Sequence, residues 1–379
     1  MKKLAIVSTH PIQYNAPLFR LLSERKKILV RVFYTWEKDA EKFDEGFGKS
    51  FKWDIPLLDG YEHEFVSNNG NHSKGFWDVN NPTLVREIEK WKADAVLVYG
   101  WNYRSHLRAM RHFKGKIKVF FRGDSTLLGE QTGIKQLLRR IFLKWIYSHV
   151  DVALYVGKNN KDYFLKHGLR ENQLVFAPHA IDNARFIEEN SSHASYKSEL
   201  LNQLGIEDDS RNIVYLGKFQ RLKNLDLLIN AFSQIERNGW KLILVGNGEH
   251  EEELKAMATQ NPNIHFLPFQ NQLRIPAVYR LGKIFCLPST SETWGLAVNE
   301  AMACGMAVMV SNKVGCGPDL VHNGTNGFVF ESGNLGDLVE KLQLVKKSDL
   351  SQMGKKSKEI ISSWTFEKQA EAIEQLTLK

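Results

Sequence analysis

Short runs such as "KLAIVST" (3–9), "DAVLVYG" (94–100), "NIVYLG" (212–217) and "KLILVGNG" (241–248) are apolar on successive residues, not on alternate ones. A strand apolar on both faces must be covered on both faces, which a sheet with one wet face does not provide. Segments of helical periodicity separate the runs, among them "APLFRLLSER", "NPTLVREIEKWKA" and "NNKDYFLKHG". That alternation dictates parallel strands joined by crossover helices, a doubly wound α/β sheet. The first half also offers "LVRVFYTW", "IKVFFRG", "VDVALYVG" and "QLVFAPH" as strands. The second half adds "NIHFLPF", "IFCLPS", "MAVMVS" and "NGFVF". Two such sets in 379 residues predict two Rossmann-like domains rather than one large sheet.

The polar segment "IEENSSHASYKSEL" lacks a strand pattern and places a linker at 187–200. The first domain is then 1–186 and the second 201–358, with 359–379 left over as the amphipathic "TFEKQAEAIEQL" and its flanks. With 43% hydrophobic and 25% charged residues the chain can build full cores. Its formal net charge of +8 favours anionic ligands or surfaces without choosing among them. No nucleic-acid module is recognisable, and no nucleic-acid partner is expected. "MKKLAIVSTHP" breaks its apolar stretch at His10-Pro11, too early for a signal peptide, and no run has the length of a membrane span. Cys286, Cys304 and Cys316 show no metal-ligand spacing and read as buried thiols in a reducing compartment. A cytoplasmic protein is expected, with peripheral membrane contact left open.

Chemistry-bearing residues gather in the second half. "VYLGKFQRLKN" ends a strand at Gly217 and puts Lys218 and Lys223 in the following loop. Two ammonium groups there can converge on one pyrophosphate, or simply make a basic loop. "LVGNGEHEEELKAM" carries Gly246 and Gly248 in a strand-to-helix turn, where glycine permits close backbone approach. Glu251 stands where a dinucleotide fingerprint needs its third glycine, which argues against a nicotinamide dehydrogenase. "SETWGLAVNEAMACG" sets Glu292 before, and Glu300 within, a helix beginning near Leu296. Free amides at that helix start suit a phosphate, and the two carboxylates can hold vicinal hydroxyls. Helix-dipole placement for Glu300 and a solvated loop for Glu292 are the plainer readings.

Together these residues resemble the retaining glycosyltransferases of family four, whose fold is GT-B. Glu292 and Glu300 match that family's E-x(7)-E motif, and "GKFQRLKN" resembles its G-R-L-x-x-x-K-G loop. "GCGPDLVHNGTNGFVF" resembles its trailing glycine-rich segment, and "PHAIDNARF" its P-N-G-V-D stretch. The resemblance implies two facing Rossmann-like domains, with the C-terminal helix returning to the first. It implies a UDP- or GDP-linked sugar held by the second domain, no resident cofactor and no metal. Glu300 would hold the ribose and Glu292 the transferred sugar. Lys218 and Lys223 would neutralise the diphosphate, with Thr293, Trp294, Gly295 and Leu296 touching sugar and phosphate. Gly246 would line the donor pocket, and Phe269, Gln270 and Asn271 would meet the base through their backbones. As implied catalytic groups stand Lys218, Lys223, Glu292 and Asp124.

The departures fall in the first domain. The loop after the first strand reads "STHPIQYNAPLF" in place of paired glycines, leaving His10, Gln13 and Tyr14 as candidates to line the cleft. The family's acceptor-side histidine is missing from "FFRGDSTLLGE", which offers Arg122 and Asp124. Asp124 positions a hydroxyl or caps the following turn. The basic, aromatic "GIKQLLRRIFLKWIYSHV" (133–150) either meets anionic lipid or packs on the first sheet. In the first case the acceptor is a lipid-linked saccharide of a surface polymer or glycolipid, approached at the inner face of the plasma membrane. A sugar-nucleotide epimerase, hydrolase or phosphorylase on the same fold, or a non-catalytic nucleotide-sugar binder, are the competing classes.

Overall fold

The computed structural model describes residues 1–36, 42–44, 49–51, 53–70, 75–130, 133–208, 211–235 and 239–379. The chain divides into two compact units. One comprises Met1–Ala40, Pro56–His179 and Phe366–Lys379; the other comprises Glu41–Ile55 and Ala180–Thr365. In chain order the strands are β1 (Lys3–Ser8), β2 (Leu29–Tyr34), β3 (Lys42–Asp44), β4 (Lys49–Phe51), β5 (Glu62–Phe65), β6 (Ala95–Tyr99), β7 (Lys118–Arg122), β8 (Val152–Tyr155) and β9 (Leu174–Phe176). Then follow β10 (Asn212–Leu216), β11 (Lys241–Val245), β12 (Ile264–Leu267), β13 (Ile284–Leu287), β14 (Ala307–Ser311) and β15 (Gly327–Phe330).

The first unit is a seven-stranded sheet in the order β5-β2-β1-β6-β7-β8-β9. Its pairings are parallel throughout. Successive apolar residues of β1, β6 and β7 are buried because helices cover both faces, as the runs require. On one face Val7, Val98 and Phe121 pack with Met110, Tyr147 and Phe164. β5 escapes a sequence reading for a physical reason: "EHEF" is an edge strand, half-exposed, with no continuous apolar run. The β3–β4 hairpin is antiparallel and, though it falls between β2 and β5 in the chain, it belongs to the second unit.

The C-terminal helix Phe366–Leu378 lies in the first unit. Its Glu374, almost fully buried, accepts two bonds from the Arg25 guanidinium at 2.7 and 3.0 Å, and Lys27 stands 3.2 Å away. The bidentate geometry anchors the helix against Ala16–Glu24 and raises the Arg25 pKa.

The second unit's sheet runs β12-β11-β10-β13-β14-β15, again with parallel pairings. Strand order reverses between β10 and β13, so the loops after these strands flank a topological switch point. The polar stretch expected as a linker is a helix from Ser191 to Leu204, started by Asn190, whose Oδ1 accepts the His193 amide at 2.8 Å. Its polarity is that of a helix burying only Leu200 and Leu201. Cys286 and Cys316 are buried, and burial pushes both thiols up, away from thiolate chemistry. Among the described residues no helix is long and apolar enough to cross a membrane.

Close backbone approach explains one glycine directly. A Cβ on Gly246, which has φ +147°, would overlap the carbonyl oxygen of Gly217 at the end of the neighbouring strand. Gly246→Ala should lower the stability of the second unit by about 1–3 kcal/mol, as overpacking does. Gly129→Ala, with nothing near its added Cβ, should stay within about 0.5 kcal/mol. Urea unfolding of the two variants measures the contrast.

Candidate functional site

At the switch point the loop after β10 carries Lys218 and then a tight turn, Arg221–Lys223. Asn224, at φ +52°, redirects the chain into the helix Leu225–Gln234. The loop after β13 holds that turn in place, the Thr290 amide donating to the Leu222 carbonyl at 2.8 Å. As a result the Lys223 ammonium forms an ion pair with Glu292, each side chain 20% exposed. Lys218 is half-buried, and its carbonyl accepts the Tyr215 hydroxyl at 2.8 Å. Burial and the nearby Glu292 charge hold the Tyr215 pKa well above its ordinary value, so this hydroxyl stays a donor. A lysine and a glutamate distant in sequence thus meet where two strand-end loops converge.

The turn between Glu292 and the next helix is built by a third loop. Gly315 donates its amide to the Glu292 carbonyl at 3.0 Å, and Cys316 donates to the Trp294 carbonyl at 3.0 Å. A Cβ on Gly315 would overlap the Thr293 carbonyl, so the glycine-rich segment can lie on the turn only as glycine. Gly295, at φ +97°, starts the helix Leu296–Ala303, whose N-terminus has no side-chain cap. Uncapped amides and the positive end of the helix dipole leave a place for anionic oxygen. Trp294 is buried; its Nε1–H donates to Asn299 Oδ1 at 2.9 Å and its ring lies 5.1 Å from Trp364. The indole holds the turn and, being buried, is not a surface for a ligand.

Glu300 is 1% exposed and accepts the Tyr279 hydroxyl at 2.8 Å. It stands in the second turn of its helix, beyond the reach of the dipole effect, so helix-terminus placement does not account for it. Tyr279 escapes sequence reasoning because an aromatic in "IPAVY" carries no motif.

On the other side of β10, Asn247 acts as a hub. Its carbonyl accepts the Phe219 amide at 2.9 Å, its Oδ1 accepts the Phe269 amide at 2.8 Å, and its Nδ2 donates to Glu251 at 2.8 Å. The loops after β10, β11 and β12 are thereby locked side by side. The Gln270 side chain is engaged by Tyr196 Oη at 2.6 Å and by the Pro268 carbonyl at 2.9 Å. Asn271 Oδ1 accepts the Gln272 amide at 2.8 Å. These side chains shape the loop. The Phe269 amide is already committed to Asn247. Only the glycine of "GNG" hints at this hub in the sequence.

In the first unit, His10 stacks on Trp36 with centroids 4.6 Å apart, and Thr9 Oγ1 lies 3.0 Å from its Nδ1. Gln13 and Tyr14 fall in the turn whose Ile12 carbonyl accepts the Asn15 and Ala16 amides, both at 2.9 Å. Arg122 is buried and donates to the carbonyls of Ala177 at 2.9 Å and Pro178 at 3.2 Å. It ties the ends of β7 and β9 together, and burial lowers its pKa. Asp124 is near enough for its charge to act on both Arg122 and His179. Although no histidine follows β7, His179 arrives beside Asp124 from the end of β9. It lay within "PHAIDNARF" but had no assigned role. Burial and the Arg122 charge lower its pKa to about 4. The fully buried His106, also unforeseen, lies 3.0 Å from Thr35 Oγ1 through Nε2, and its Nδ1 faces the carbonyls of Tyr99 and Gly100 at 3.1 and 3.0 Å. No group of three or more His, Cys, Asp or Glu side chains among the described residues is placed to hold a metal ion.

Comparison with known proteins gives the second unit a match. The family model described as glycosyl transferases group 1 matches residues 197–362. An uncharacterized glycosyltransferase of Haemophilus influenzae is 31% identical over 42% of this chain and 47% of its own length. The N-acetyl-alpha-D-glucosaminyl L-malate synthase of Bacillus anthracis is 24% identical over 63% of this chain and 60% of its own length. The matched region is therefore about half to three-fifths of these curated relatives. Among solved structures, sucrose-phosphate synthase from Thermosynechococcus elongatus superposes with TM-score 0.77 at 17% identity, covering 99% of this chain and 98% of that one. Anabaena HepE, in complex with UDP and glucose, superposes with TM-score 0.73 at 18% identity over 100% of both chains.

The buried imidazole gives a prediction with a definite sign. Burial lowers the His106 pKa from 6.5 to about 4, so between these values the unfolded chain binds more protons at this position. Its contribution is complete above pH 6.5 and is lost as pH falls towards 4. Over that window the parent should lose on the order of 3 kcal/mol more unfolding free energy than His106→Gln. Urea unfolding at pH 7, 5.5 and about 4 tests it.

Proposed function

We propose that the protein is a retaining glycosyltransferase, on the premise that residues 197–362 match the family model described as glycosyl transferases group 1 and that the whole chain shares the GT-B architecture. It moves a sugar from a UDP- or GDP-linked donor to a saccharide acceptor. The contact between Lys223 and Glu292 at the switch point, beside an uncapped helix start, carries the proposal. The solved HepE complex with UDP and glucose supports a donor of this class.

Without donor, Lys223 and Glu292 neutralise each other. With donor, the diphosphate takes Lys223 and a sugar hydroxyl takes Glu292, so each charge exchanges one partner for another. Lys218, Lys223 and the amides at the start of Leu296–Ala303 form the positive field into which the diphosphate departs. Glu300, pre-oriented by Tyr279, accepts the ribose hydroxyls. As the anomeric C–O bond breaks, its electron pair stays on the phosphate oxygen. The acceptor hydroxyl bonds to the anomeric carbon on the same face and gives its proton to that oxygen. Electrostatic stabilisation of the leaving group is the main catalytic term in this scheme. No metal or resident cofactor takes part. Asp124, beside His179, is assigned to orient a hydroxyl.

The acceptor is proposed to be lipid-linked, met at the cytoplasmic face of an anionic membrane. The helix Ile134–Tyr147 supports this. It buries Leu143, Ile146 and Tyr147 yet exposes Ile134 (79%), Leu137, Leu138 (61%), Ile141, Phe142 and Trp145. At 100° per residue those exposed side chains form one stripe on the opposite face, flanked by Lys135, Arg139, Arg140 and Lys144. A basic-edged apolar stripe of this size suits the headgroup boundary better than water.

Lys223→Met should lower kcat by roughly 10²- to 10³-fold while leaving the fold intact. Product configuration read by NMR should match the donor's; inversion would contradict the proposal. In liposome flotation the parent should bind vesicles containing anionic lipid, and Leu138→Glu with Ile141→Glu should abolish binding. Binding indifferent to lipid charge and to salt would remove the membrane assignment.

A further inference from the structure

Trp53, from the first half of the chain, lies in the second unit. Glu41–Ile55, inserted between β2 and β5, is part of the second unit's compact body. Its described end is fastened to the loop after β12. Asp54 accepts the Leu273 amide on both carboxylate oxygens, at 3.2 and 3.3 Å, and its own amide lies 3.5 Å from Asn271 Oδ1. The fastening sets the Trp53 ring 6.5 Å from that of Phe269, tilted by 55°. Two differently inclined aromatic faces thus make a corner at the end of the row of strand-end loops that begins at Glu292. Strands β13, β10, β11 and β12 lie side by side in that row, and three strand spacings separate its ends by about 14 Å. That distance lets one extended ligand place its charged part at Lys223 and a flat, apolar part at Phe269.

We infer that Trp53 and Phe269 form the stacking surface for the base of the nucleoside diphosphate, so that Trp53 completes the donor site. This deepens, and rests on, the donor reading above. Trp53 is half-buried, so part of its surface meets solvent. A flat base stacks on one ring and meets the edge of the other, an arrangement aromatic quadrupoles favour. Every base has a π-face, so stacking supplies affinity without choosing the base. Choice is left to hydrogen-bonding backbone in the Phe269–Asn271 loop. The same corner explains why the insertion is tied down by a carboxylate on the amide of Leu273: it fixes the residue next to Trp53.

Calorimetric titration of the parent, Trp53→Ala and Trp53→Phe with UDP, GDP and inorganic pyrophosphate tests the assignment. Loss of one base–aromatic stack should weaken both nucleotides roughly 5- to 100-fold in Trp53→Ala. Trp53→Phe should stay within about 3-fold of the parent, since a ring remains, and pyrophosphate affinity should not change in either variant. Tryptophan emission should be quenched by nucleotide in the parent and less so in Trp53→Phe. Unchanged nucleotide affinity in Trp53→Ala overturns the inference and leaves the donor site standing. An equal loss of pyrophosphate affinity also overturns it, because the ring would then merely support the loop. A parent that binds neither nucleotide removes the donor reading and this inference together.

Discussion

Contact between Lys223 and Glu292 is the interaction on which the functional account depends. It is the product of sheet topology: two strands adjacent in space but separated in the chain deliver their loops to one place. Neither partner is fully buried, so the pair is a stored arrangement of charge rather than a source of much stability. Each member keeps the other oriented, and in the proposed function each is released when the donor offers a better complement. The Thr290–Leu222 bond and the glycine at 315 fix the backbones that carry them.

Around that pair the second unit is a row of loops locked edge to edge. Asn247 joins three of them, and Gly246 lets backbone meet backbone without a Cβ between. Such locking costs side-chain freedom at folding and places donors and dipoles in advance of the reaction, where they act without reorganising. In the first unit the strand ends are held by buried polar groups instead. Arg122 spans β7 to the carbonyls beyond β9, and His106, kept neutral by burial, faces the carbonyls that end β6. These groups make a rigid platform, while His10, Trp36 and Asp124 remain near its surface.

Much of this was legible in the residues. The runs apolar on successive residues each formed a parallel strand; β1, β6, β10 and β11 lie inside their sheets, while β9, β12 and β15 lie at the edges. The spacing from Glu292 to Glu300 marked the helix start, and "GKFQRLKN" marked the cation loop. What was not legible depends on distance in the chain. β5 has the alternation of an exposed edge and no apolar run. Tyr279 and His106 act through contacts that no local pattern encodes. The segment 187–200 looked like a linker because a surface helix and a loop share a polar composition, and only the Asn190 cap distinguishes them. Trp53 belongs to the second unit although the stretches before Glu41 and after Ile55 belong to the first, which no composition could show.

A crystal structure of the protein with UDP-sugar or GDP-sugar bound would test the central claim most directly. The account predicts diphosphate oxygens within hydrogen-bond distance of Lys223 Nζ and of the amides opening Leu296–Ala303, with Glu292 turned from Lys223 to the sugar. A nucleotide bound away from the switch point, or one bound there with Lys223 and Glu292 still holding each other, would contradict it.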